Sequence, residues 1–182
     1  MKPLPSSFFA RDTVTVAREL LGKIIAVNGC HARIVETEAY GKDPASHAFK
    51  RTERSSLMYD TYGHVYVYLI YGMHQCLNFT TEKDSPGAVL IRAVEPLQGI
   101  TGMKRRRKTD IITNLCSGPG KLCQALGIDK RLNSLKVGKE IRVLDDQFAV
   151  KRVKTSSRIG IKDAMHLPWR FIIAENEFVS KV

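Results

Sequence analysis

The sequence is short of acid. Its 182 residues carry 18 aspartates and glutamates against 29 lysines and arginines, a formal net charge of +11. A surplus of this size suits a polyanionic partner through phosphate contacts and counterion release. A membrane surface is the rival partner, but no basic amphipathic helix stands out. The four cysteines, Cys30, Cys76, Cys116 and Cys123, form no CxxC pair, which argues against zinc. No apolar run is long enough to span a bilayer. The opening "MKPLPSSFFARD" lacks both the apolar core of a secretory signal and the Arg-rich pattern of a transit peptide. A cytoplasmic protein with free, mostly buried thiols is therefore expected, nucleoid-associated if bacterial. Repeats, low-complexity segments and linkers are also missing. With a hydrophobic fraction of 43%, the composition fits one globular domain over residues 1–182.

Local signals predict a mixed fold. Asp12 can cap a helix with apolar positions Val14, Ala17, Leu20 and Leu21, closed by Gly22. Asn28-Gly29 between two β-rich runs is a type I′ hairpin signal. Period-two geometry then puts Ile34, Glu36, Glu38 and Tyr40 on one strand face, and Val35, Thr37 and Ala39 on the other. Residues 41–58 are polar and read as a long loop. Strands are expected at Val65–Ile70, Gln75–Thr80, Ala88–Val94, Lys139–Leu144 and Arg170–Ile173, and a short helix from about Lys121. The basic run "KRRRK" (Lys104–Lys108) is expected on a surface loop. Turns join the strands more often than regular crossover helices do, so the expected class is α+β with a mainly antiparallel sheet.

All six tyrosines lie between Tyr40 and Tyr71. Strand alternation places Tyr66, Tyr68 and Ile70 on one face, with Tyr66 expected in the core. Tyr71 falls where Gly72 should turn the chain, and a ring there is hard to bury. On a basic protein a projecting aromatic suggests stacking or wedging between bases. An aromatic-lined pocket beside such a wedge suggests an extruded base, because an enzyme acting on a base must take it out of the stack. Glu36 and Glu38 share a face with Tyr40. A carboxylate beside aromatic rings is poorly solvated and could act as a general base for water. Spacing does not choose between the two glutamates; a solvated sheet face is the plain alternative. His47, in the following loop, could stack on or hydrogen-bond to a flat ligand. "SGPGK" (Ser117–Lys121) lacks the Walker pattern; as a helix start it either holds a phosphate or is simply capped.

The segments "RIVETEAY" (Arg33–Tyr40), "YVYLIYGMHQCLN" (Tyr66–Asn78), "VLIRAVEPL" (Val89–Leu97), "CSGPGKLCQALGI" (Cys116–Ile128) and "RIGI…PWRF" (Arg158–Phe171) resemble, in order and spacing, the 3-methyladenine (alkyladenine, methylpurine) DNA glycosylases. The resemblance runs over nearly the whole chain. It implies an α+β domain with a curved antiparallel sheet flanked by helices, similar to a formyltransferase C-terminal domain, and a β-hairpin protruding for insertion into DNA. It implies that Glu38 activates the attacking water, leaving Glu36 structural. Arg92 would help hold that water, and the Ile159 carbonyl would face it. Tyr40, His47 and Tyr68 would stack around the flipped base, and Asn78 at the pocket floor would clash with a purine 2-amino group. Tyr71 would insert in the minor groove, flanked by Met73. Phosphate contacts would come from Lys50, Arg51, Arg54, Ser117 and Lys121. The segment "AFKRTERSSL" departs from the family's glycine-rich pattern.

The implied enzyme is a monofunctional base-excision glycosylase, a monomer acting on duplex DNA without cofactor, metal or Schiff-base lysine. Its substrates would be damaged purines: 3-methyladenine, 7-methylguanine, hypoxanthine and ethenoadenine. The alternatives are a non-catalytic binder of damaged DNA, which would release no base, and an RNA-binding stacking module, which would prefer single strands.

Overall fold

The computed structural model describes residues 1–180. The elements are β1 (Lys2–Pro3), α1 (Ser6–Phe9), α2 (Thr13–Glu19), β2 (Ile24–Val27), β3 (Cys30–Tyr40), α3 (Ser56–Asp60), β4 (Val65–Ile70), β5 (His74–Thr81), β6 (Gly87–Gln98), α4 (Ile100–Arg107), α5 (Pro119–Leu126), β7 (Ile141–Asp145), β8 (Val153–Ser156) and β9 (Arg170–Ile173). The Asp12 carboxylate accepts the Thr15 N–H at 2.7 Å and caps α2, as its position predicts. Asn28 and Gly29 both adopt positive φ, 50° and 73°, in the β2–β3 turn. The Asn28 amide also donates to the carbonyls of Leu126 and Gly127, closing the end of α5.

One antiparallel sheet organises the chain in the order β1-β7-β2-β3-β6-β5-β4. Strand β3 is its spine. One edge pairs with β6 over most of its length; the other pairs first with β2, at Cys30–Arg33, and then with β9, at Glu36–Glu38. The β3–β6 register shifts around Ile34–Thr37, a bulged stretch of the kind that bends a sheet. The bulge breaks the simple alternation. Ile34 and Val35 both enter the main core, so Ile34 does not share the face of Glu36. From Glu36 onward the two-residue period holds.

The two sheet faces are chemically different. Val65 and Val67 of β4, Leu77 and Phe79 of β5, Val89 and Ile91 of β6, and Val35 and Ala39 of β3 join Val16 and Ala17 of α2, and Leu122, Ala125 and Leu126 of α5, in the main core. The Thr37 hydroxyl donates to the Ala17 carbonyl at 2.8 Å, fixing α2 against this face. The opposite face carries Glu36, Glu38, Tyr40, Tyr66, Tyr68, Cys76, Asn78, Ala88, Leu90 and Arg92.

Two local expectations are corrected. Lys104–Lys108 is not a loop: it forms the last turns of α4 and its left-handed cap at Lys108. Lysine and arginine are good helix formers, and cations suit a helix C-terminus. Arg106 donates to the Ala125 carbonyl, and Arg107 donates to the Leu115 carbonyl and the Gln124 side chain, so part of the run holds α4 to α5. Residues 41–58 are interrupted by a single 3₁₀ turn at His47–Phe49, and α3 begins at Ser56. All four cysteines are buried free thiols. Among the described residues no helix is long and apolar enough to cross a membrane.

Where α2 meets the β5–β6 hairpin, space is tight. A Cβ at Gly87 would lie 2.1 Å from Thr13 Oγ1 and 2.8 Å from Thr81 Oγ1. Gly87→Ala is therefore expected to cost about 1–3 kcal/mol by overpacking. A lowered thermal midpoint with an unchanged circular-dichroism spectrum in the cold is the expected result.

Candidate active site

A cleft of about 860 Å³ opens over the polar face of β3–β6. Its walls come from β4, β5 and β6, the His47 turn, the N-terminus of α5, and the Ile159–Ile161 segment. This size lies within the range of small-ligand sites.

Beneath it lie two adjacent carboxylates with no accessible surface, Glu36 and Glu38. Glu36 is held on every side. Its Oε1 accepts from Arg170 Nε at 2.7 Å, Ser180 Oγ at 2.8 Å and Arg92 Nε at 3.1 Å. Its Oε2 accepts the Ser180 N–H at 2.7 Å. Glu38 has fewer partners: Oε1 accepts the Ile159 N–H at 2.7 Å and faces an Arg92 nitrogen at 3.4 Å, while Oε2 accepts the Tyr40 hydroxyl at 2.8 Å. Burial pushes the Glu38 carboxyl above the ordinary glutamate range, with the Arg92 charge, the Ile159 N–H and the Tyr40 hydroxyl pulling the other way. Arg92, Tyr40 and Ile159 line the cleft, and Glu38 stands immediately behind them. Ile159 thus reaches Glu38 through its amide nitrogen.

The aromatic wall forms as the alternation predicts, with one addition. Tyr66 is buried, as expected for a core tyrosine, but it also lines the cleft. Its hydroxyl is 2.9 Å from His47 Nδ1. His47 and Tyr68 meet edge to face at 4.8 Å, and Tyr68 lies 5.5 Å from Tyr66. Burial and the nearby Arg54 charge depress the His47 pKa, so its imidazole is neutral at neutral pH. Burial raises the Tyr40 and Tyr68 hydroxyls, which therefore remain neutral donors. Asn78 is buried at the base of the cleft, where its amide donates to the Tyr66 and Cys76 carbonyls at 3.0 and 3.3 Å.

At the rim, Ile70 pairs with His74, leaving Tyr71, Gly72 and Met73 as the tip of the β4–β5 hairpin. Tyr71 is 82% and Met73 71% exposed. Tyr71 also has φ of 52°, a left-handed conformation that costs a bulky residue roughly 1–2 kcal/mol.

The expected phosphate ligands divide. Lys50 is exposed. Arg51 is paired with Asp60 at 2.6 Å. Arg54 is exposed and lines the cleft, with its guanidinium over the Tyr68 ring at 5.1 Å. Ser117 is buried, while Lys121 lines the cleft and donates to Asn114 Oδ1 at 2.6 Å. The structure also brings in residues that carry no short-range signal. Arg158 and Asp43 form a buried ion pair across 115 positions of sequence. Arg170 and Ser180 complete the shell of Glu36.

Residues 7–177 match the family model of methylpurine-DNA glycosylase. A Rhizobium etli protein is 49% identical over 177 residues, covering 96% of this chain and 87% of its own length. An Agrobacterium fabrum protein is 47% identical over 180 residues, covering 98% and 92%. A Clostridium perfringens protein is 46% identical over 202 aligned positions, covering 98% of both chains. All three carry the provisional name 3-methyladenine DNA glycosylase.

Glu36 neutralises two buried guanidinium groups, so removing it strands both. Glu36→Ala is expected to destabilise the protein by about 3–5 kcal/mol, the usual cost of breaking a buried ion pair from one side. Equilibrium urea denaturation would show it as a lowered midpoint.

Proposed function

Since the chain belongs to the methylpurine-DNA glycosylase family, we propose that it is a DNA repair glycosylase that flips alkylated or deaminated purines out of duplex DNA and removes them by hydrolysis. The substrates are 3-methyladenine, 7-methylguanine, hypoxanthine and ethenoadenine. The observation that carries this reading is the enclosed Glu38 carboxylate directly behind an aromatic cleft whose rim bears an exposed, strained tyrosine.

Each part of the geometry has a task in that chemistry. Tyr71 and Met73 enter the minor groove and fill the gap left by the extruded nucleotide. Tyr40, His47 and Tyr68 hold the base. Asn78 opposes a purine 2-amino group and so disfavours normal guanine. As the glycosidic bond breaks, positive charge builds on the sugar, and the Glu38 carboxylate stabilises it while taking a proton from water. Each Glu38 oxygen accepts one protein hydrogen-bond donor at 2.8 Å or less. A carboxylate oxygen can accept a second, so water entering between Arg92, Tyr40 and the Ile159 main chain has a lone pair to bond. The net charge of +11 supplies attraction to the duplex. Lys50 and Lys121, the latter at the start of α5, meet phosphates of the duplex. Arg54 acts from within the cleft. The enzyme works as a cytoplasmic monomer on nucleoid DNA.

The decisive experiment is single-turnover base release from duplexes carrying one hypoxanthine or ethenoadenine, and from methylated genomic DNA. Wild type should release base, with the rate falling as pH drops through the raised pKa of Glu38, since only the carboxylate form accepts a proton. Glu38→Gln should be slower by about 10²–10⁴-fold, the usual worth of a general base. Tight lesion binding with no release from any substrate would instead establish a damage-binding protein. Tyr71→Asn separates wedge from fold. Asparagine tolerates the left-handed conformation, so the variant should be as stable as wild type or more so, by about 1 kcal/mol. Its release from duplex should nonetheless fall well below wild type.

A further inference from the structure

The Arg158 side chain is completely buried, an expensive place for a cation. Its guanidinium makes a two-pronged contact with Asp43, at 2.6 and 3.0 Å, and donates to the Ala39 carbonyl at 3.1 Å. The same group lies over the Tyr40 ring at 4.7 Å and the Trp169 ring at 5.3 Å. Among the described residues its Nε has no hydrogen-bond partner. A buried pair with an unsatisfied nitrogen is poor value for stability, but its fork geometry fixes position closely.

What it positions is specific. Arg158 directly precedes Ile159, whose N–H donates to Glu38 Oε1 at 2.7 Å. Ala39, which it grips, stands between Glu38 and Tyr40, and Tyr40 supplies the donor to Glu38 Oε2. Asp43 anchors the segment leading to His47. One ion pair therefore pins both donors that hydrogen-bond Glu38, and ties together the segments that carry Ile159 and His47 beside the cleft.

We propose that Asp43 and Arg158 are positioning residues that hold the Ile159 N–H and the Tyr40 hydroxyl on Glu38, the two hydrogen-bond donors that favour its carboxylate form. The inference rests on the reading of Glu38 as the general base. The other groups facing Glu38 are Arg92 from β6, Glu36 from its own strand and the Cys76 thiol from β5, and the ion pair contacts none of them. Arg170 pairs opposite Glu38 on β9, but its side chain is committed to Glu36.

Asp43→Asn tests this, because two explanations predict opposite signs. Removing a negative charge nearby would, by electrostatics alone, move the acid limb of the pH–rate profile to lower pH. Loss of positioning moves it up, because Glu38 loses donors that favour its charged form. The measurement is the pH profile of single-turnover base release from a hypoxanthine duplex, for wild type and variant. Binding to a duplex containing a tetrahydrofuran abasic analogue is measured alongside. The expected result is an acid limb displaced upward by about one unit, hence roughly tenfold slower release on that limb and recovery at higher pH. Affinity for the analogue should be nearly unchanged. A limb that stays in place or moves down overturns the inference, as does a uniform loss of rate at all pH. Should Asp43→Asn fail to fold, Asp43→Glu, which keeps the negative charge but shifts the carboxylate by one methylene, takes its place: electrostatics alone then predicts no displacement, and the expected and overturning results are the same. A wild-type protein that releases no base would defeat the functional reading, whereas a wild-type profile shared by the variant would defeat only this one.

Discussion

Two carboxylates buried side by side on one strand are the constraint around which the structure is arranged. Neither Glu36 nor Glu38 reaches solvent, and a buried charge survives only if it is paired and hydrogen-bonded. Arg92 touches both, at 3.1 and 3.4 Å, and links them into one network. The rest of the compensation is brought from a distance. Arg170 arrives on β9, Ser180 from beyond that strand, and the Ile159 amide from the segment before it. The C-terminal third of the chain thus wraps back onto β3 and satisfies charges that β3 cannot satisfy alone. The two glutamates differ in how completely this is done. Glu36 is saturated by strong donors, which suits a structural role. Glu38 keeps acceptor capacity and sits at the cleft, which suits a chemical one.

The sheet makes this arrangement possible by separating its faces. Alternation on β4, β5 and β6 sends valine, leucine, isoleucine and phenylalanine toward α2 and α5, and sends tyrosine, asparagine and arginine toward the cleft. The hydrophobic face stabilises the domain, so the polar face is free to hold costly features. Those include a fully enclosed arginine and a tyrosine in a left-handed turn. Strain and burial of this kind persist where the surrounding structure over-determines them; Tyr71 stands at the cleft rim and Arg158 packs against Tyr40 of its wall.

Much of this was legible in the residues. The α2 cap at Asp12, the Asn28-Gly29 turn and the strand Val65–Ile70 follow from local rules and stand where those rules put them. So does the exposed ring of Tyr71, because a bulky residue beside a turn glycine has no core to enter. The misreadings have physical causes too. Lys104–Lys108 reads as a loop because its charges hide its helix propensity; Arg106 and Arg107 are used on the carbonyls and side chains of α5 and its neighbours. Ile34 was placed with the glutamates because a bulge leaves no mark in a two-residue pattern. Arg54 reads as a phosphate ligand; it is exposed, and an aromatic face at the cleft also offers its guanidinium a flat partner.

The sequence alone determined the charge of the protein, the chemical character of the β4, β5 and β6 faces, the position of the hairpin tip and the shared face of Glu38 and Tyr40 on β3. These depend on neighbours two to four residues apart, where backbone geometry dictates direction. The tertiary structure decided which glutamate is saturated and which is left available, which cations face the cleft, and that Asp43 meets Arg158 across 115 positions. Such contacts depend on where the folded sheet carries distant segments, and no local period encodes that.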